Sequence, residues 1–343
     1  MSVSFIVRVI QKFFFGFILL CTVPTFSQSN FQISDQGSIY KISPALWLNN
    51  SNSALSFTMD DSNPVHLKVS QILEEYGFRG SFFINPGMGN WKILGPNYAK
   101  MAHNGHEIGN HTWNHRKLSL IHDADSLIME VCQPIEFINK ITGKVPVTFV
   151  HPYNHNECSG DSVVYRYHLF SRISSFYSIN NRIIKTISES TDISSIDSLI
   201  HKSVRQKKWL IIAGHGLDGV GWQPITSDFF NELCRRIVSI TPKIWVATLS
   251  EVAAYDYLRR EIATTINSFE KGIVIRIENI DLEKYSNVEQ LPMTLILETP
   301  DNKKPTLSTH NISDIAIING EKPFTYLLTF DLKKTDKIYI DIN

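Results

Sequence analysis

The chain has 343 residues, 43% of them hydrophobic and 19% charged, a composition able to bury a core and unlike that of a disordered polypeptide. Lys+Arg and Asp+Glu balance at 33 each, so no global field points to nucleic acid or to an anionic membrane, and partners have to be argued from a site. At ~100 to 200 residues per domain, one large domain and one small one fit this length.

Residues 1–27 carry Arg8 and Lys12 but no acid, then an apolar run over 13–23, then Pro24-Thr25-Phe26-Ser27. This order reads as a secretory signal peptide cleaved after Ser27, with no stable membrane insertion afterwards. The apolar run is shorter than the ~20 residues a spanning helix needs. Cys21 opens a lipid-anchor alternative, which the large Leu20 before it disfavours. Removal of the leader leaves Cys132, Cys158 and Cys234, enough for one internal disulfide at most and without a CxxC pair for zinc.

From residue 54 to about 260, short apolar runs alternate with amphipathic stretches. The pattern predicts strands over 57–59, 80–85, 147–150, 209–213 and 244–248. Helices are predicted over 65–76, 95–103, 124–141, 193–202, 228–240 and 250–260. Such alternation means parallel strands with crossover helices, leaving an α/β barrel and a doubly wound sheet both open. Beyond 263 the helical period gives way to strand-like runs over 273–277, 293–297, 315–318, 324–330 and 338–340, separated by turn residues. We therefore expect a barrel domain over 28–262 and a small C-terminal all-β sandwich over 263–343, with a chain ending near Ala263 leaving a soluble barrel.

Asp60 and Asp61 directly follow an apolar strand, at the end where parallel α/β folds build active sites. An isolated Asp-Asp more often turns the chain or caps a helix, so other residues must decide. His111 and His115 are four apart, and on a helix their Cβ atoms would lie ~5 to 6 Å apart on one face, able to grip one divalent ion. His103 and His106 fall outside that register and read as surface and packing residues. Pro152-Tyr153 follow a third strand end, and His215 ends the buried run 210–213, where proton transfer is its expected role.

The order Thr58-x-Asp60-Asp61, His111-Thr112-x-x-His115, Pro152-Tyr153 and Ile212-x-x-His215 resembles the NodB-homology polysaccharide deacetylases, the fourth carbohydrate esterase family. The lead-in Gly105-His106-Glu107-Ile108-Gly109-Asn110 is its most specific part, and the likeness covers roughly 54–260. It implies a distorted (β/α)7 barrel and hydrolysis of N- or O-acetyl groups on an acetylated oligo- or polysaccharide. By the same resemblance, Asp61, His111 and His115 hold a divalent ion, usually zinc; Asp60 is the general base; the backbone N–H of Tyr153 helps hold the oxyanion; and His215 is the acid.

Met59 and Ser62 stand where the family prefers Phe and Gly, and Val150 stands where it has the Arg that orients the base. The family's Asp-Trp motif has no clear counterpart between 154 and 208. These relaxed motifs, with the segment His215 through Pro224, resemble the deacetylase-like module of gellan lyase. Loss of the Arg raises a competing reading, a non-catalytic carbohydrate-binding protein on the same fold, whereas no separate domain is left over for lyase chemistry. A buried carboxylate base needs a cation beside it. Arg172 is the first candidate to replace the missing one, and Arg116 the second.

Overall fold

The computed structural model describes residues 30–33, 39–154, 161–173, 181–241, 243–269, 271–278, 280–300, 303–311 and 314–342; the expected leader and Cys158 lie outside them. Eight parallel strands form the first layer: β3 (Ser53–Met59), β4 (Ser81–Ile84), β5 (Glu107–Asn110), β6 (Thr148–Phe149), β7 (Phe170–Ser171), β8 (Arg182–Thr186), β9 (Trp209–Gly214) and β10 (Ile244–Val246). Their order is β7-β6-β5-β4-β3-β9-β8, with β10 on the first half of β3, beside the stretch where β4 takes over. This is the curled parallel sheet of a distorted α/β half-barrel, with eight strands where the resemblance implied seven. Every residue of β3 is buried, as expected of a central strand covered on both faces.

The predicted helices form with ends shifted by a few residues, as His66–Glu75, Trp91–His103, Ala124–Thr142, Ile193–Gln206, Ser227–Ser239 and Leu249–Glu261. Their starts follow capping chemistry: Asp123 and Thr226 accept from Ser126 N and Phe229 N, and Thr248 with Glu251 forms a reciprocal capping box. Among the described residues no helix is long and apolar enough to cross a membrane, and Cys132 and Cys234 are free thiols.

The β-rich part consists of two antiparallel sheets. One has the order β1-β2-β13-β16-β15, from Asn30–Ile33, Ile39–Pro44, Pro292–Glu298, Thr325–Asp331 and Ile315–Asn319; the other joins Ala263–Phe269, Gly272–Glu278, Lys337–Ile342 and Pro305–Leu307. Strand β2 pairs with β13 from Pro44 opposite Leu295 to Lys41 opposite Glu298, so the N-terminal strands belong to the sandwich and not to the barrel. That corrects the expected boundary at residue 28. Sequence alone hides it because the two partners lie about 250 residues apart.

The junction is also tighter than a polar linker. Helix Leu249–Glu261 runs within a residue of β11 (Ala263–Phe269), and one apolar cluster joins Trp209, Tyr255 and Leu258 of the barrel to Ile275, Met293 and Leu295 of the sandwich. Tyr255 donates to the carbonyl of Ala45 at 3.0 Å, and Asn49 N donates to Thr294 Oγ1 at 2.9 Å. Each Leu or Ile side chain uncovered there would forfeit roughly 1.5 to 3 kcal/mol. Packing of this kind argues against the soluble fragment ending near Ala263.

Candidate active site

Asp60 follows β3, His111 follows β5, Val150 follows β6, Arg172 follows β7 and His215 follows β9. All of these strands are parallel, so the five positions converge on the carboxyl end of the barrel.

His111 and His115 are not on a helix. Strand β5 ends at Asn110, and the chain then turns on positive φ values at Thr112 (67°) and His115 (56°). The rings nevertheless meet, with centroids 4.8 Å apart, and Asp61 Oδ1 lies 3.6 Å from His111 Nε2 and 3.4 Å from His115 Nε2. Ligand atoms of the three residues fall within 4.8 Å of one another. His111 Nδ1 is 2.7 Å from the carbonyl of Val150, so that nitrogen carries the proton and Nε2 presents its lone pair toward Asp61. Asp61 (φ 70°) and Tyr153 (φ 61°) are left-handed as well. Non-glycine residues are held there at a cost of order 1 to 3 kcal/mol each, and such strain clusters at functional sites.

Most of the specific lead-in motif proves to be scaffold. His106 Nδ1 accepts from Gly80 N at 3.0 Å while Nε2 reaches Glu74 at 3.0 Å, and His103 is exposed, so both are the packing and surface residues expected. Glu107 is half-buried and accepts from Ser81, Thr148 and Ser250 N, which ties β4, β5 and β6 to the start of helix Leu249–Glu261; loss of solvent around the carboxyl raises its pKa against those bonds. A Cβ on Gly109 would sit 2.3 Å from the Phe83 ring. Asn110 donates to Val131 O and accepts from Thr112 N, shaping the turn that brings the two histidines together.

Asp60 is buried, with its N–H bonded to Gly214 O at 2.9 Å. Arg172, only 1% exposed, grips it with a guanidinium fork: Nη1 to Oδ1 at 2.8 Å and Nη2 to Oδ2 at 2.5 Å. The same fork donates to Thr58 Oγ1 at 2.9 Å and Asn154 Oδ1 at 3.1 Å. Burial alone would raise the Asp60 pKa, but the Arg172 charge, His111, the Arg172 hydrogen bonds and His215 outweigh it and hold the carboxyl at about 2. Arg116 is exposed, so the first candidate and not the second meets the base. Thr58 and Asn154 have roles that motif reading had not assigned.

His215 Nε2 stands 3.8 Å from Asp60 Oδ2, and burial lowers its pKa despite the attraction of Asp60 and Asp61. Its backbone is braced from below: His66 Nε2 lies 3.2 Å from His215 O, and His66 Nδ1 lies 2.9 Å from the Tyr98 hydroxyl. Tyr153 is 61% exposed with its ring 4.7 Å from that of His115. The departures from the family pattern are accommodated. Met59 packs beneath Gly214, where a Cβ would meet its sulfur at 3.0 Å, and Ser62 exchanges hydrogen bonds with Asn85. Val150 lies buried in the core, remote from any ionic role.

An Asp-His-His trio able to hold a divalent ion, gathered beside an arginine-held carboxylate at the mouth of a parallel α/β sheet, is equipment suited to metal-assisted hydrolysis. Residues 48–161, about a third of the chain, match the family model described as polysaccharide deacetylase. It is 31% identical over 111 residues to a gellan lyase from Bacillus sp, covering 32% of this chain and 4% of that protein. It is 30% identical over 105 residues to a chitin deacetylase from Pestalotiopsis sp, covering 29% of this chain and 34% of that protein. The match thus spans about a third or less of these relatives. Among solved structures, a putative polysaccharide deacetylase from Mycobacterium smegmatis is similar at 15% identity and TM-score 0.47, covering 62% of this chain and 92% of that one. Peptidoglycan deacetylase PdaC from Bacillus subtilis follows at 16% identity and TM-score 0.41, with 58% and 89% covered.

Proposed function

We propose that the protein is an exported, metal-dependent deacetylase that hydrolyses N- or O-acetyl groups of an extracellular or periplasmic carbohydrate. The observation that carries this reading is the buried Arg172 fork on Asp60, which supplies from β7 the cation missing at Val150. A cation at Asp60 supports turnover over a purely binding role. Export rests on the composition of residues 1–27.

Asp61, His111 and His115 fit a divalent ion by donor type, by mutual distance and by the fixed tautomer of His111. Bound there, zinc or a similar ion would polarise the acetyl carbonyl and acidify a water molecule. Asp60, ionised at neutral pH, accepts the proton of the attacking water as its oxygen bonds to the acetyl carbon. The backbone N–H of Tyr153 steadies the oxyanion. His215, in its protonated form, then gives its proton to the departing amine or alcohol as the bond to the acetyl carbon breaks. His215 Nε2 stands 3.8 Å from Asp60 Oδ2, and a small shift of the ring into hydrogen-bond reach returns the proton on Asp60 to His215 for the next cycle.

The test is acetate release from a panel of acetylated chitin, xylan and peptidoglycan oligosaccharides, by full-length protein loaded with zinc, with and without chelator. Release that the chelator abolishes is the expected result. No release from any member, with metal bound, would favour the binding-only reading.

A further inference from the structure

Beside His215 lies a feature that the deacetylation steps do not use. Trp222 is 57% exposed, and its ring stands edge-on to His215, with centroids 4.6 Å apart and planes at 85°. Single exposed hydrophobic residues are ordinary on a protein surface, so exposure by itself says nothing. The loop that carries this one is different, because it is fixed at both ends.

Leu217 and Val220 bond each other's backbones at 3.0 Å, Asp218 N donates to Ile225 O at 2.8 Å, and Ile225 N donates to Gly216 O at 3.1 Å. Leu217 and Ile225 are buried, while the Asp218 carboxylate holds Ser227 N at 2.7 Å and Lys68 at 2.7 Å. Two glycines make the close approach: a Cβ on Gly216 would meet Val220 O at 2.2 Å, and one on Gly221, at φ 93°, would meet Asn63 Nδ2 at 2.2 Å. A side chain carried on a loop fixed at both ends, with its apolar surface in water and one edge against His215, has less conformational entropy to lose when something covers it.

Its place along the mouth suggests what does. Successive contacts run from Tyr153 to His115, to Asp61 and its neighbour Asp60, then to His215 and Trp222. The strands behind them, β6 and β9, have β5, β4 and β3 between them, so the two exposed aromatic side chains rise at opposite ends of the reacting groups. An indole is suited to the C–H face of a pyranose, which packs on an aromatic ring while its hydroxyls stay in water.

We propose that Trp222 is a sugar-stacking platform receiving a pyranose next in the chain to the acetylated unit, so that it sets a preference for oligosaccharides over single sugars. The proposal rests on the deacetylase reading for its glycan partner. Its test is a binding measurement that needs no turnover. On full-length protein carrying Asp60→Asn, calorimetric titration with acetylated chitin, xylan and peptidoglycan tetramers is compared with the matching monosaccharides. Trp222→Ala should weaken the best-bound tetramer about tenfold, the scale of a lost aromatic anchor, and leave the monosaccharide within about twofold. Trp222→Phe, which keeps an aromatic face, should stay within about threefold.

Unchanged tetramer affinity in Trp222→Ala overturns the proposal. So does an equal loss for tetramer and monosaccharide, which would mean that Trp222 acts only through His215, or failure of the parent to bind any tetramer. Chain-length-dependent binding without acetate release by the Asp60-containing protein would keep the platform and sink the deacetylase reading.

Discussion

The two sides of the barrel mouth are built differently. On the β3 to β5 side, Asp60, Asp61, His111 and His115 sit within a few residues of their strand ends, and the backbone aims them through positive φ at Asp61, Thr112 and His115. On the β6 to β9 side, Asn154, Arg172 and His215 follow three separate strands; Arg172 donates to Thr58, Asp60 and Asn154, and His66 lies against the backbone carbonyl of His215. The first side brings together three residues able to ligate a metal and, beside them, Asp60; the second sets the charge around Asp60. A motif spelled by neighbouring residues tolerates little change, whereas a charge delivered by a buried fork can come from another strand, as Arg172 does in place of Val150.

That contrast breaks most sharply at the ligands. Asp61→Ala, His111→Ala and His115→Ala are each expected to abolish metal binding, because two donors hold zinc poorly against water. Elemental analysis of dialysed protein reads this out, and full occupancy in any variant removes that residue from the set. Asp60→Asn and His215→Ala should keep the metal and lower turnover by ~10² to 10⁴-fold, the usual contribution of a positioned acid or base. Loss of metal from either would merge the two sides into one.

A smaller effect concerns the scaffold under the ligand side. Burial holds the folded-state pKa of His106 and of His168 down at about 4, against bonds to Glu74 and to Val164 that work the other way. Between that value and the unfolded value of ~6.5, the unfolded chain binds more protons. Stability is therefore intact above about pH 6.5 and falls as the pH drops toward 4. Replacing His106 with Asn removes one such group, so the stability gap between parent and variant should narrow by on the order of 2 kcal/mol from pH 7.5 to 4.5. Urea midpoints across that range measure it, and a constant gap would mean that His106 takes up its proton alike in the folded and unfolded chain.

Strand-end chemistry was legible in the sequence because a buried apolar run followed by Asp-Asp or by His has few bland explanations once several coincide. His111 and His115 meet without the helix that would have placed them on one face. Strand β5 has only four residues, one of them Gly109, and a turn relying on left-handed Thr112 and His115 leaves no periodic signal. Strands β7 and β8 escaped notice for a related reason: Phe170–Ser171 is two residues long, and Arg182–Thr186 is polar at both ends. Arg172 could be named from the need for a cation, but its partners Thr58 and Asn154 could not, since only the curl of the sheet brings residues 58, 60, 154 and 172 together. The strand Ile39–Pro44 was hidden because its pairing partner is Pro292–Glu298.

If Arg172 makes Asp60 a working base, its removal costs turnover and leaves the metal in place. Acetate release and zinc content, measured together on the parent, Arg172→Ala and Arg172→Lys, test it directly. The account expects unchanged zinc in all three and a fall in acetate release of about 10²-fold or more in Arg172→Ala. It also expects partial recovery in Arg172→Lys, which restores the charge but not the two-pronged geometry. Arg172→Ala releasing acetate at the parent's rate with zinc bound would contradict it.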